Sequence, residues 1–288
     1  MKKKIGRKII RNILILILCL VIMFPFFMML STSLKSYSEI KSPQFRLLPE
    51  TFRYQNYIEL FASGRWGRYF LNSLMITGVS TVIAVVINSM AGYAFARLNF
   101  RGKGFLFACT MLGMIVPAQV TMLPAYVIIK YIPLAGGNNI LGMGGSGLLN
   151  STMGLILVYL SGAFGVILFR QFMLTFPLSL DEAARIDGLS KFGIYCRIYM
   201  PLSKATVASM VVLRATATWN DYIWPLLMTQ KDELYTVQLA LARFRSESGN
   251  EWQYIMAATT VIILPIIFLF LFLQKYFIEG IATTGVKE

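Results

Sequence analysis

The sequence predicts an all-α polytopic membrane protein. Three observations predict it: a shortage of charge, apolar residues gathered in long blocks, and basic residues set beside those blocks. Of the 288 residues, 57% are hydrophobic and only 14% are charged, whereas about a quarter of a soluble domain is charged. A water-facing surface needs those charges, so the deficit argues harder than the apolar excess. The formal net charge is +14. Its placement follows the positive-inside bias of membrane proteins, and nothing resembles the modules that bind nucleic acid, so no nucleic-acid partner is expected. The chain has no histidine, which excludes histidine proton relays and triads. Its three cysteines lack metal spacing. No metal, cofactor or catalytic residue is therefore expected on this chain.

Six spans are read in order, each long enough for the roughly 20 residues that cross a bilayer core. Residues 1–12 carry six basic side chains, and 13–30 run eighteen residues without a polar one. A signal peptide has a shorter apolar region and a small-residue cleavage site, so this stretch reads as a retained first helix with its N-terminus in the cytoplasm. Further spans fall at about 69–97, 105–130, 152–173, 205–228 and 254–277. Pro117, Pro124, Pro225 and Pro265 lie within them and predict kinks, because proline removes a helix hydrogen bond. Six spans place both termini on one side. Sixteen Lys and Arg then lie inside and nine outside, which favours cytoplasmic N- and C-termini. The chain divides into 1–68 (basic N-terminus, first span and external segment), a five-helix core at 69–277 containing the loop 170–204, and a cytoplasmic tail at 278–288. Residues 135–150 are glycine-rich and uncharged, which predicts a compact hairpin connection. Trp66, Tyr69, Trp252 and Tyr254 flank spans and read as interfacial belt residues.

The cytoplasmic stretch from Ser179 to Gly188 carries the functional argument. Ser179 with Glu182 three residues on predicts a capping box. Asp181 and Glu182 suit the positive end of a helix, Ala183 and Ala184 favour helix with little bulk, and Gly188 suits the left-handed residue that ends one. Ser190 opens a second short helix ending near Pro201. A helix of about nine residues is only ~13 Å long. It cannot cross the membrane, and it suits either a docking element or a helix resting on the bilayer.

The string EAARIDG at 182–188, followed by Ile198, Tyr199, Met200, Pro201 and Leu202, resembles the EAA loop of importer permeases of the ATP-binding-cassette superfamily. Asn72, Ser73 and Leu74 open the second span, and AGYAFAR at 91–97 closes it. WNDYIWPL at 219–226 and Gly285, Val286 and Lys287 in the tail extend the resemblance to the maltose-system kind of carbohydrate permease. The resemblance implies an importer-permease fold with cytoplasmic coupling helices, in a bacterial cell membrane. Asp181, Glu182, Ala183, Ala184, Arg185, Asp187 and Gly188 would couple to an ATPase: Glu182 pairing with a base there, the two alanines packing into its cleft, and Gly188 making the corner. The tail residues would touch the ATPase as well, although TGVKE departs from the family's GAVKG. The implied partners are a homologous second permease forming a heterodimer, two ATPase subunits, an external or periplasmic solute-binding protein and a sugar substrate.

No G-x-x-x-x-G-K-[ST] occurs in the chain, so ATP and magnesium belong to the partner ATPase. Arg214 sits about ten residues into the fifth span, where a charge must be paired or hydrated. It is either satisfied by carbonyls or another helix, or it lines a hydrated pathway with Trp219, Asn220 and Asp221. Asp221 lies two turns on, ~10 Å along the axis, too far for direct pairing without a bridging group. Another small polar solute remains open as cargo. An ion-coupled carrier remains open as mechanism, with Arg214 and Asp221 as its only candidate intramembrane ionisable residues.

Overall fold

The structure is a computed structural model and describes residues 2–62, 64–248 and 251–284; among them helices are the only regular elements. Among the described residues three helices are long and apolar enough to cross a membrane: Lys8–Ser33 within the longer Lys2–Ser33 helix, Trp66–Arg97, and Trp252–Tyr276 within Trp252–Thr284. Counting each bent pair as one span raises the number to five. From Ile9 to Leu30 the first helix carries exposed Ile, Leu, Val and Phe. A helix satisfies its own backbone, so it can present that apolar surface to hydrocarbon.

The middle spans depart from the expected continuous helices. The third divides into Lys103–Ile115 and Ala118–Lys130, bent by 109°. Pro117 lacks an N–H and precedes the second helix as its N-cap, so the proline makes a corner and not the expected kink. Pro124 stays inside its helix. The fourth divides into Thr152–Leu157 and Ala163–Leu174. The fifth divides into Lys204–Asn220 and Ile223–Met228, broken at the extended Asp221.

By contacts the chain forms two units, Met1–Gly67 with Ala240–Pro265, and Arg68–Leu239 with Ile266–Glu288. In the first unit, Asn56 closes the end of the first helix. Its side-chain amide donates to the carbonyls of Ser33 (2.8 Å) and Lys35 (2.9 Å), which a helix C-terminus leaves without intrahelical partners. Tyr254 donates to Glu59 at 2.6 Å, and that bond, followed by the Arg53 contact, holds the Glu59 carboxyl below its ordinary range. Trp66 is buried and meets Phe244 edge-on. In the second unit, Tyr69 is also buried and donates to Asp232 at 2.5 Å. These two aromatics are packing and hydrogen-bonding residues, not the interfacial belt that their flanking positions predict.

In the second unit the Trp66–Arg97 helix is a spine. A Cβ on Gly92 would stand 2.6 Å from Phe169 Cβ and 2.9 Å from the Arg170 nitrogen, so two backbones meet there. Such small-residue contacts are how helices pack without a hydrophobic drive between them. Four residues earlier, Asn88 accepts from Ser161 Oγ (3.1 Å) and the Gly162 amide (3.2 Å). It thereby supplies, from a neighbouring helix, the cap that Gly162 lacks at the start of Ala163–Leu174. The 135–150 connection is compact, with five glycines at positive φ, and Asn138 ties it to the carbonyls of Lys130 and Ile132 at 2.9 Å each.

The Gly92 contact is open to a direct check. Gly92→Ala overpacks a backbone crossing and is expected to cost about 1–3 kcal/mol. Gly78→Ala, on the same helix with nothing within 4 Å, is expected to leave stability unchanged or slightly raised. Thermal unfolding of the two variants in detergent compares them, and equal midpoints would mean that the helices do not touch at Gly92.

Candidate functional site

The 175–203 segment builds a short helix between two corners. The helix runs Ser179–Ile186, and its N-cap is Leu178 with no side-chain cap. The expected capping box is therefore absent. The Pro177 and Leu178 carbonyls already receive the amides of Leu180, Asp181 and Glu182, which places Ser179 inside the first turn. At the other end Gly188 adopts φ 78°. Its amide bonds the Arg185 carbonyl at 3.0 Å, and the Leu189 amide bonds that of Ala184 at 2.9 Å. This pair of bonds is the Schellman closure that a left-handed glycine permits. Ser190 caps the next helix, accepting from the Gly193 amide at 3.1 Å. That helix, Lys191–Ile194, runs into a π-helical turn at Tyr195–Tyr199 and ends at Leu202.

The seven residues singled out in the short helix divide by face. Asp181 and Ala184 are buried within this chain, at 6% and 3% exposure. Glu182, Ala183, Arg185, Asp187 and Gly188 are exposed. Ala184 therefore does not form an outward pair with Ala183, because adjacent helical residues point about 100° apart. The outward stripe is Leu178, Glu182 and Ile186, spaced by four, and Ile186 is 86% exposed. Leu178, Ile186 and exposed Phe192 were not singled out from the sequence. The signal for Leu178 and Ile186 was available, as apolar residues four positions either side of Glu182.

Asp181 enters a buried cluster. Arg97 stands 3.4 Å from its Oδ2, with the two side chains 3% and 8% exposed. Tyr199 donates to the same oxygen at 2.7 Å. Arg97 also donates to the carbonyls of Met173 and Phe176, at 2.5 Å each through Nη2, and lies 5.2 Å from the centre of the Tyr199 ring. The Met173 carbonyl lies in the last turn of the Ala163–Leu174 helix, where its dipole is negative, and Phe176 follows the Thr175 C-cap. Burial first, then the bond to Asp181, pushes the Tyr199 phenol well above its usual range, so it remains a protonated donor.

In the membrane part, a cavity of about 350 Å³ is lined by Thr121, Met122, Tyr159, Arg214, Asp221 and Trp224, among others. Arg214 donates through Nε to the Tyr159 carbonyl (2.9 Å) and through Nη2 to that of Ser161 (3.1 Å), with a further bond from Nη2 to Tyr159. The break at 158–162 frees those carbonyls from helical bonding. Carbonyl satisfaction and cavity lining thus hold together. Asp221 accepts the Tyr159 hydroxyl at 2.8 Å and the amides of Ile223 and Trp224 at 2.9 and 3.2 Å. Tyr159 is the bridging group between the two charges. Trp224 Nε1 is buried without a hydrogen-bond partner among the described residues. Trp219 and Asn220 are not brought to this lining. Trp219 is buried with its ring 6.3 Å from that of Phe70, and Asn220 bonds Thr216 and Gln238 at 3.0 Å each. Gly285, Val286 and Lys287 lie outside the described residues.

Residues 88–283 match the family described as binding-protein-dependent transport system inner membrane component. The arabinooligosaccharides transport system permease protein of Bacillus subtilis is 33% identical over 97% of this chain and 96% of its own length. The sn-glycerol-3-phosphate transport system permease protein of Brucella suis is 30% identical over 94% and 95%. Among solved structures, a bacterial ABC transporter involved in import of the acidic polysaccharide alginate contains a chain of like fold. It has a TM-score of 0.81 at 22% identity, covering 96% of this chain and 98% of that one. This family decides against the ion-coupled carrier that the sequence left open. The chain belongs to the binding-protein-dependent transport system inner membrane components, the permease subunits of ABC importers.

Proposed function

We propose that this chain forms half of a translocation pathway for a sugar or oligosaccharide and is driven by a separate ATPase docked on the Ser179–Ile186 helix. The observation that carries the docking is the division of that helix. One face is held inside the chain by Asp181 and Ala184, and the other presents Leu178, Glu182, Ala183 and Ile186 to solvent. A helix fixed from behind with an apolar and acidic front suits a cleft that offers a basic residue to Glu182. Closure of two ATPase subunits on ATP and magnesium would move that front, and differential contacts in two states would rock the helices between inward- and outward-open arrangements. A second permease completes the pathway as a heterodimer, an external binding protein supplies the solute, and both termini of this chain face the cytoplasm. The tail at Gly285, Val286 and Lys287 adds a second contact to the ATPase.

Oligosaccharide cargo is supported by the arabinooligosaccharide relative and the fold shared with the alginate transporter. The glycerol-3-phosphate relative favours a second reading, a small anionic solute, which Arg214 in the cavity would suit. Purification through a tag on this chain should bring down an ATPase and a second permease. In proteoliposomes supplied with its binding protein, that complex should take up arabinotriose or raffinose with ATP. Uptake of glycerol 3-phosphate alone would select the second reading, and uptake without ATP would sink both.

Ile186→Asp places a charge in the docking face and is expected to weaken ATPase capture at least about tenfold, or ~1.4 kcal/mol, with the chain still in the membrane. Unchanged capture would exclude this face as the dock. Arg214→Leu leaves the Tyr159 and Ser161 carbonyls without that donor and is expected to lower complex recovery, and the recovered complex is expected to take up solute severalfold more slowly; full uptake per recovered complex would remove Arg214 from the pathway.

A further inference from the structure

The Ser179–Ile186 helix joins its neighbours in sequence through two corners. Before it the chain bends by 81° between Ala163–Leu174 and Ser179–Ile186, and after it lies the left-handed Gly188. Corners of this kind let a short helix swivel. What opposes swivelling is the side-chain cluster behind the helix, and its centre, Arg97, belongs to neither adjoining segment. Arg97 is the last residue of the Trp66–Arg97 helix. Its guanidinium binds Asp181 on the short helix, the Met173 and Phe176 carbonyls before it, and the ring of Tyr199 after it. One turn back along the same helix, Tyr93 lies 5.2 Å from the Tyr199 ring and 5.6 Å from that of Tyr195. One turn further, Ser89 bonds Tyr195 Oη at 2.8 Å.

The opposite end of the Trp66–Arg97 helix is equally engaged. Its 32 residues span about 48 Å. Over its first two turns, Tyr69 donates to Asp232 at 2.5 Å. Asn72 donates to the carbonyls of Glu233 (2.8 Å) and Tyr235 (3.0 Å), and Ser73 Oγ accepts the Val237 amide at 2.9 Å. One unbroken helix therefore grips the coupling segment at one end and the 232–237 segment at the other. The neighbouring spans are interrupted, at 116–117, 158–162 and 221–222, and each interruption is a place where displacement can be absorbed.

We propose that the Trp66–Arg97 helix is the lever of this permease. Arg97 locks it to the coupling helix through Asp181, and Tyr69, Asn72 and Ser73 carry the displacement to the 232–237 segment at its far end. Arg97 and Asp181 are positioning residues in this scheme, since neither touches cargo nor nucleotide. The inference rests on ATPase docking at Ser179–Ile186 for its driving force, while the mechanical link is a property of this chain alone.

The test uses the complex captured through this chain, as wild type, Asp181→Asn and Arg97→Lys. Asp181→Asn keeps an acceptor for Tyr199 and removes the charge that Arg97 binds. Arg97→Lys keeps the charge and loses the fork that holds two carbonyls. ATP hydrolysis, uptake and complex recovery are measured on the same preparations. Both variants are expected to lower the recovery of complex, and the recovered complex to hydrolyse ATP while its uptake per ATP falls at least about fivefold. Hydrogen exchange without nucleotide is expected to quicken in the variants at both 179–186 and 90–97. In the wild type, ATP is expected to change exchange at 232–237, and in Asp181→Asn that response is expected to vanish. Quickening confined to 179–186, an unaltered response at 232–237, or uptake falling only in proportion to recovered complex would overturn the lever. A wild-type complex that does not hydrolyse ATP would instead count against the docked-ATPase reading, and the nucleotide-free exchange would still decide the mechanical link.

Discussion

Four segments of this chain meet at one guanidinium. Arg97 has five N–H donors in a rigid plane, and the fold uses that plane to join the end of a long helix to a helix C-terminus, an acidic side chain and an aromatic ring. The cluster is almost dry, so its members depend on one another. Removing one partner of a buried ion pair typically costs about 3–5 kcal/mol, because the other charge is left uncompensated. A lysine could neutralise Asp181 but could not also reach two carbonyls in the same plane. The outward stripe of Leu178, Glu182 and Ile186 has a defined direction because Asp181, on the opposite side, is held in this way.

The same economy of polar groups shapes the membrane part. A broken helix in hydrocarbon exposes carbonyls and amides that cost several kcal/mol each if left bare. Two of the interruptions, at 158–162 and 221–222, are matched to polar side chains. The carbonyls of Tyr159 and Ser161 receive Arg214, the Gly162 amide receives Asn88, and the amides of Ile223 and Trp224 receive Asp221. Charged residues in the spans are thus both structural and placed at a cavity, because the breaks that they satisfy are what opens it. An intramembrane arginine in such a position answers first to the backbone.

Satisfaction of the backbone also accounts for the difference between the long and the broken helices. Trp66–Arg97 contains small and hydroxylated residues, Ser73, Thr77, Ser80, Thr81, Ser89 and Gly92, but no proline, so it stays whole while packing closely against its neighbours. Ser80 and Ser89 donate back into their own helix, to Thr77 and Val86, and their hydroxyls can be buried for that reason. Pro117, which has no N–H to give, stands where the third span is broken.

Composition and block length by themselves determined an all-α membrane protein, because a chain so poor in charge cannot dress a soluble surface. The string at 182–188, with a left-handed glycine closing a short helix, determined where a short helix starts and stops between two corners, because those preferences act within one or two turns. The direction each residue faces was decided elsewhere. Asp181 and Glu182 are adjacent in sequence and both carry a carboxylate, yet one is buried against Arg97, 84 positions earlier, and the other meets solvent. Ser179 reads as a cap until Pro177 and Leu178 take its place. Arg214 and Asp221 look like a distant pair on one helix until the break at Asp221 and the side chain of Tyr159 connect them. Local preference and hydropathy are properties of the chain and can be read along it. Burial and partnership are properties of contacts between remote segments, and only the packed tertiary structure brings those segments together.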